Sequence, residues 1–311
     1  MKAGKIFWPL KVILFMTACV SMASCEQQST AAGTVPVSII VSVEAKHGKE
    51  VPTIYKQDVK VIHDQDQLPV TDWTPCQNRE AGLQLILLVD DSLNTDLGLQ
   101  FGDLKKFIEG QPSTTAIGVA YARNGMAQMV QNPTNDHAKA ANALRLPMGF
   151  AATNSVYLSL SDLIKRWPQS TGCREVVMIS SGIDFLQAGP QDAYLLESID
   201  QAQRAAVQVY AIYAEAAGHA GHSYWLNYWG QYNLSQVTEE TGGEFYIQGT
   251  RAPIAYAPYL NQYADRLTHQ SRVTFLARPA NKAGFQKIKL QTEVPNAELV
   301  GQERVYVPVP K

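Results

Sequence analysis

The sequence predicts an α/β protein, with a mostly parallel sheet in its middle and a small β-sandwich assembled from its two ends. Three observations carry this. Uncharged runs such as Leu85-Ile86-Leu87-Leu88-Val89 read as strands buried on both faces, as found inside parallel sheets. Between residues 76 and 270 such runs alternate with amphipathic helical stretches, the pattern of a parallel α/β sheet. The flanks, residues 35–75 and 271–311, alternate short strand-like runs with polar turns, as half-buried antiparallel β does. Neither flank is long enough for a good core alone. The two are expected to pair into one sandwich, with the middle of the chain inserted between them.

Residues 1–25 read as an export signal, because Lys2, Lys5 and Lys11 flank the short apolar stretch Val12-Ile13-Leu14-Phe15-Met16 and small residues follow. That stretch is too short to span a bilayer. Met22-Ala23-Ser24-Cys25 resembles a bacterial lipobox, which makes Cys25 the expected lipidation site and residues 26–34 a flexible tether. Met16-Thr17-Ala18-Cys19 is a competing match, and Glu26 after the cysteine resembles the pattern sorted to the outer membrane. An exported lipoprotein of the bacterial cell envelope is therefore expected.

The elements follow in order. Val37–Val43 and Asp58–Val61 are strands of the first flank. Leu85–Val89 is the first central strand, and Leu97, Phe101, Leu104, Phe107 and Ile108 mark an amphipathic helix after it. Thr115–Tyr121 is a strand, Asn124-Gly125 a turn and Gln128–Val130 a short antiparallel strand. Ser155–Trp167 is helical, Glu175–Ser180 a buried strand, Ala193–Arg204 a helix and Val207–Tyr213 another strand. A helix closes over Ser235–Thr241 at the stop signal Gly242-Gly243. Glu244–Ile247 and Pro258–His269 are the last central strand and helix. Arg272–Leu276, Gln286–Leu290 and Arg304–Val307 return to β.

Of 311 residues, 17% are charged and the net charge is −2. No basic stripe is present, which argues against nucleic acid as a partner. Cys76 and Cys173 are the cysteines left after the signal, and in an oxidising compartment such a pair suits a disulfide.

The first central strand ends abruptly in Asp90-Asp91-Ser92-Leu93-Asn94. Ligands of open α/β sheets bind beyond the carboxyl ends of the strands, and this end offers hard oxygen donors suited to Mg²⁺ or Ca²⁺. A second feature should border the same end: a loop carrying His219, His222, Tyr224, Trp225, Tyr228 and Trp229. Tyr and Trp are enriched at protein interaction hot spots; the alternative is that the indoles tuck beneath the loop as a satellite core. The two histidines, with no third ligand nearby in sequence, form a weak zinc signal.

At these residues the chain resembles von Willebrand factor type A domains, and among them an acidobacterial-type subgroup of secreted proteins with β-rich flanks. The resemblance extends to Lys56–Val61 and Thr241–Tyr246. It implies a Rossmann-like sheet with helices on both faces and a metal-ion-dependent adhesion site for Mg²⁺, Ca²⁺ or Mn²⁺. Asp90, Ser92 and Asn94 match that site's first loop, with Asn94 replacing a serine. Thr153 is the nearest counterpart of its threonine. Ser181 stands where its last aspartate belongs and Asp184 lies a turn away, so the site is degenerate. The family sheet also makes the strands after Cys76 and Cys173 neighbours, which implies a disulfide at the edge opposite the site.

Rival readings fail on named residues. A phosphorylated receiver domain needs an aspartate after a third strand, but Asp136 sits in a polar loop and no lysine follows the later strands. A haloacid-dehalogenase-type phosphatase needs an acid where Ser92 stands. A serine hydrolase built on Ser180 or Ser181 with His219 or His222 lacks the Gly-x-Ser-x-Gly elbow. The expected function is a non-enzymatic adhesion or binding protein that presents the top of its sheet to a protein partner. The alternative is a metal-independent structural lipoprotein.

Overall fold

The computed structural model describes Met1 and residues 33–309, apart from 80–81, 152, 169–171 and 191. The expected lipidation site Cys25, the rival Cys19 and the rest of the signal and tether from 2 to 32 lie outside the described residues. The first flank contributes β1 (Val35–Ala45), β2 (Lys60–His63), β3 (Asp66–Leu68) and β4 (Val70–Pro75). The central strands are β5 (Gln84–Asp90), β6 (Ala116–Arg123), β7 (Met126–Thr134), β8 (Arg174–Ser180), β9 (Val207–Tyr213) and β10 (Phe245–Tyr246). The chain ends in β11 (Gln270–Ala277), β12 (Gly284–Lys287), β13 (Lys289–Gln291), β14 (Ala297–Gly301) and β15 (Arg304–Val307). Helices are α1 (Phe101–Glu109), α2 (His137–Asn142), α3 (Val156–Arg166), α4 (Ala193–Ala205), α5 (Gly218–His222), α6 (Tyr224–Thr241) and α7 (Ala257–Thr268).

The central sheet runs β10-β9-β8-β5-β6-β7. All neighbours are parallel except β7, which returns antiparallel to β6 through the Asn124-Gly125 turn. Strand side chains alternate faces, so β5 divides its apolar run between two cores. Leu85, Leu87 and Val89 pack with α1, α2 and α7. Ile86 and Leu88 pack with α3, α4 and α6. Both faces of the sheet are thus covered, which is why the central strands read as continuous apolar runs.

A four-stranded antiparallel sheet, β14-β1-β11-β4, joins the two ends of the chain. It shares one apolar core with the smaller β13-β2-β3 and β12-β15 sheets, around Ile39, Val61, Phe275 and Val305. This β layer sits at the amino-terminal end of the central strands. There Gln208, the second residue of β9, donates its Nε2 to the Ile40 carbonyl at 3.2 Å. Cys76 and Cys173 form a disulfide with a Cα–Cα separation of 5.6 Å, just before the adjacent strands β5 and β8. The bond closes the sheet edge opposite the Asp90 loop.

The sequence reading of residues 218–229 as a loop is corrected. They form α5 and the first turns of α6, which is 18 residues long and so spans about 27 Å. Ser223 caps it by accepting the Leu226 amide. At the other end Gly242, at φ 81°, takes the left-handed conformation that stops a helix without a Cβ penalty.

Candidate functional site

The carboxyl ends of the central strands form a rim, tied together by a bridge between Leu93 and Ala216. At its centre lies Asp90, buried, with both carboxylate oxygens engaged. One accepts the Ser92 amide at 3.0 Å and the Ser92 hydroxyl at 2.7 Å. The other accepts the Ser180 hydroxyl at 2.9 Å. Burial pushes the Asp90 carboxyl up from its ordinary value, against these hydrogen bonds.

Asp91 does something different. Arg145 grips it with both terminal nitrogens, at 2.7 and 3.2 Å, and Arg123 adds a contact at 3.0 Å. Met148 donates its amide at 2.9 Å. Burial alone would raise the Asp91 carboxyl, but Arg145, the Met148 amide and Arg123 outweigh it and hold it low. The Gly149 amide also bonds the Asp91 carbonyl. Asp91 therefore folds the loop before α3 onto the rim, and that loop shows Met148 and Phe150 to solvent.

The other candidate ligands have hydrogen-bond partners of their own. Asn94 caps the short 3-10 helix Thr95–Gln100 by accepting the Asp96 amide. The Thr153 amide leans on Asn124 of the β6–β7 turn. Ser181 is buried, its hydroxyl accepting the Ile183 amide at 3.4 Å. Asp184 accepts the Leu186 and Gln187 amides on one oxygen and the Ser155 hydroxyl on the other. A Mg²⁺-type ion needs oxygen donors converging on one point with lone pairs to spare. Among the described residues, no three His, Cys, Asp or Glu side chains are placed to hold a metal.

Several residues that organise the rim are absent from the sequence reading. Ser155 faces Asp184 and caps α3 through the Leu158 amide. The Tyr157 hydroxyl donates to the Gly182 carbonyl at 3.0 Å. Asp192 caps α4, and burial together with Asp184 pushes its carboxyl up to about 6. The Ser-x-x-Leu and Asp-x-x-Leu cap patterns before apolar helical runs were the available signals for Ser155 and Asp192.

The aromatic segment stands out from the surface. Tyr224 is 72% exposed, Trp225 66% and Tyr228 48%. The rings support one another edge-on, with Trp225–Tyr228 centroids 6.4 Å apart and Tyr228–Trp229 5.1 Å apart. The satellite-core alternative fails for Trp225, while Trp229 is half-buried. Phe150 and Phe185, at the loops before α3 and after β8, add a T-shaped pair at 4.9 Å. His219 and His222 are exposed on α5.

No family model matches the chain, and no curated protein matches it. Solved structures do. One is an aerotolerance-related membrane protein from Bacteroides fragilis NCTC 9343 carrying multiple mutations to serines. It is 12% identical with a TM-score of 0.42, over 60% of this chain and 98% of that one. A second is a von Willebrand factor type A structure from Catenulispora acidiphila, 10% identical with a TM-score of 0.45, over 88% of this chain and 74% of that one. A third is a pilus adhesin from Lactobacillus rhamnosus GG in an open conformation, 10% identical with a TM-score of 0.44, over 79% and 47%. In sheet order, strand direction and helical cover, the central part of this chain is an α/β domain with a mostly parallel sheet between two layers of helices. The separate antiparallel sheets accompany it.

Proposed function

We propose that this is an exported, envelope-anchored binding protein that docks a protein partner on the rim of its central sheet. Docking buries aromatic and apolar side chains, and no metal ion bridges the two proteins. One observation carries the reading: exposed Trp225, Tyr224, Tyr228, Met148 and Phe150 crown a rim whose own acids are already satisfied. Large exposed apolar patches on soluble proteins mark interaction sites, and Trp and Tyr dominate such sites energetically. Catalysis finds no support in the serines, since the Ser180 hydroxyl is turned to Asp90 and not to a histidine.

The test is capture of partners from an envelope extract on the immobilised protein. Trp225→Ala combined with Tyr228→Ala is expected to reduce capture at least tenfold while leaving the melting temperature within about 2 °C, since both side chains are exposed. Chelator is expected to change nothing. Capture that disappears with chelator would restore the metal-dependent reading, and labelling of Ser180 or Ser181 by a fluorophosphonate would restore the hydrolase.

A further inference from the structure

A cavity of about 370 Å³ lies between the central domain and the β layer, far from the rim. Ser38 of β1, Arg174 at the start of β8, the end of α4, and Arg272 and Thr274 of β11 line it, and no carboxylate does. Arg174 is 4% exposed. One of its terminal nitrogens caps α4 through the Ala205 carbonyl; the other, Nη1, is buried without a hydrogen-bond partner. The Nε of Arg272 is buried and unpartnered as well, while its Nη2 reaches Asp72 at 3.4 Å.

This arrangement is unlike that of Arg266, whose side chain is 11% exposed. Arg266 is held between Glu44 and Glu244. Arg174 has no carboxylate beside it, and burial alone pushes its guanidinium down from the ordinary value. A buried, uncompensated cation is among the costliest groups a fold can carry. The hydroxyls of Ser38 and Thr274 bond each other at 2.8 Å. Only one proton is used in that bond, so the pair retains a second proton to donate.

We propose that the cavity binds an oxoanion of phosphate type, held by Arg174 Nη1, Arg272 Nε and the spare hydroxyl proton of the Ser38–Thr274 pair. Guanidinium donors match phosphate oxygens in geometry and charge. The volume admits the free ion or the phosphate head of a small ester. Occupancy joins β1 and β11 to β8, so the ligand stabilises the junction between the β layer and the central sheet.

Thermal melts of the full-length protein test this, with inorganic phosphate, sodium chloride at equal ionic strength, and glycerol 3-phosphate. Phosphate is expected to raise the melting temperature saturably, by about 5 °C at a hundredfold excess over Kd. Chloride is expected to give less than a fifth of that shift. Arg272→Gln, at a partly exposed position, is expected to weaken phosphate binding at least tenfold. Thr274→Val serves as a second variant and is expected to weaken binding several-fold. Equal shifts with chloride and phosphate, or unchanged phosphate affinity in both variants, would overturn the site. A response to glycerol 3-phosphate as strong as that to phosphate supports an ester head as the ligand. A response to phosphate alone supports the free ion.

Discussion

Asp91, 1% exposed, shows how a single side chain can shape a surface it does not itself reach. Its pairing with Arg145 places the guanidinium 3.7 Å over the Tyr121 ring and pins the loop that carries Met148 and Phe150. Arg145→Ala is expected to destabilise the fold by about 3 kcal/mol, because it leaves a buried carboxylate half-compensated. Urea unfolding measures this. Since pairing lowers the Asp91 pKa below its ordinary value of 3.8, the stabilisation is complete above that value and fades as the pH falls through the folded-state pKa. The difference between wild type and variant should therefore shrink in strong acid. Glu175 behaves in the opposite sense. Buried in β8 and bonded by the Tyr263 hydroxyl at 2.6 Å, it is pushed by burial from 4.5 up to about 7. The unfolded chain releases this proton first, so stability falls as the pH rises from 4.5 to about 7. The loss is on the order of 3 kcal/mol. Glu175→Gln should flatten most of that slope in denaturant titrations at pH 5 and pH 8, leaving a smaller one from Asp192. At this scale the sequence was only partly legible. Asp90 could be placed because an apolar run stops at it. The partners of Asp91 lie 32 and 54 residues away, with no local pattern to reveal them. Ser155 was read as the start of a helix, but its bond to Asp184 spans 29 residues with no local pattern to reveal it.

Among the elements, α6 departed furthest from expectation. Its first turns place aromatic rings outward, and its buried positions begin only at Gly230 and continue through Asn233, Leu234 and Val237. Without an apolar face at its start, the segment lacks the helical period that a sequence reading depends on. The helix is held to the rim by a close approach of two glycines. A Cβ at Gly230 would stand 2.3 Å from the Ser181 carbonyl oxygen, and one at Gly182, at φ 70°, would stand 2.1 Å from the Gly230 carbonyl oxygen. Gly230→Ala is therefore expected to cost about 3 kcal/mol through overpacking and to lower partner capture by tilting the aromatic rings. Circular dichroism melts and the capture assay read the two effects separately. The central strands, by contrast, could be read directly. The inner strands β5, β6, β8 and β9 are buried along almost their whole length, so few polar residues interrupt the runs that announce them.

For the whole molecule, the disulfide between Cys76 and Cys173 closes a loop with a sequence separation of 97, which nominally stabilises by roughly 4 to 5 kcal/mol through the unfolded chain. Replacing both cysteines with serine should lower stability by several kcal/mol in denaturant melts, an effect that reducing agent reproduces in the wild type. The division into a central sheet and a β layer was legible because neither flank carries enough apolar residues to bury alone. The junction between them was not, since Gln208, Gln270 and Tyr210 form their hydrogen bonds across long sequence distances. The meeting of β1 with β11 has a further consequence, for the order of assembly. Ser38 finds Thr274 across a separation of 236 residues, so the first strand made must wait for nearly the last. Such distant pairing is slow, because the loop-closure entropy is lost before any contact offsets it. Until β11 emerges, the apolar run Val37–Val43 is an unpaired edge open to aggregation. The amino-terminal end of the chain is thus expected to stay exposed until late in synthesis.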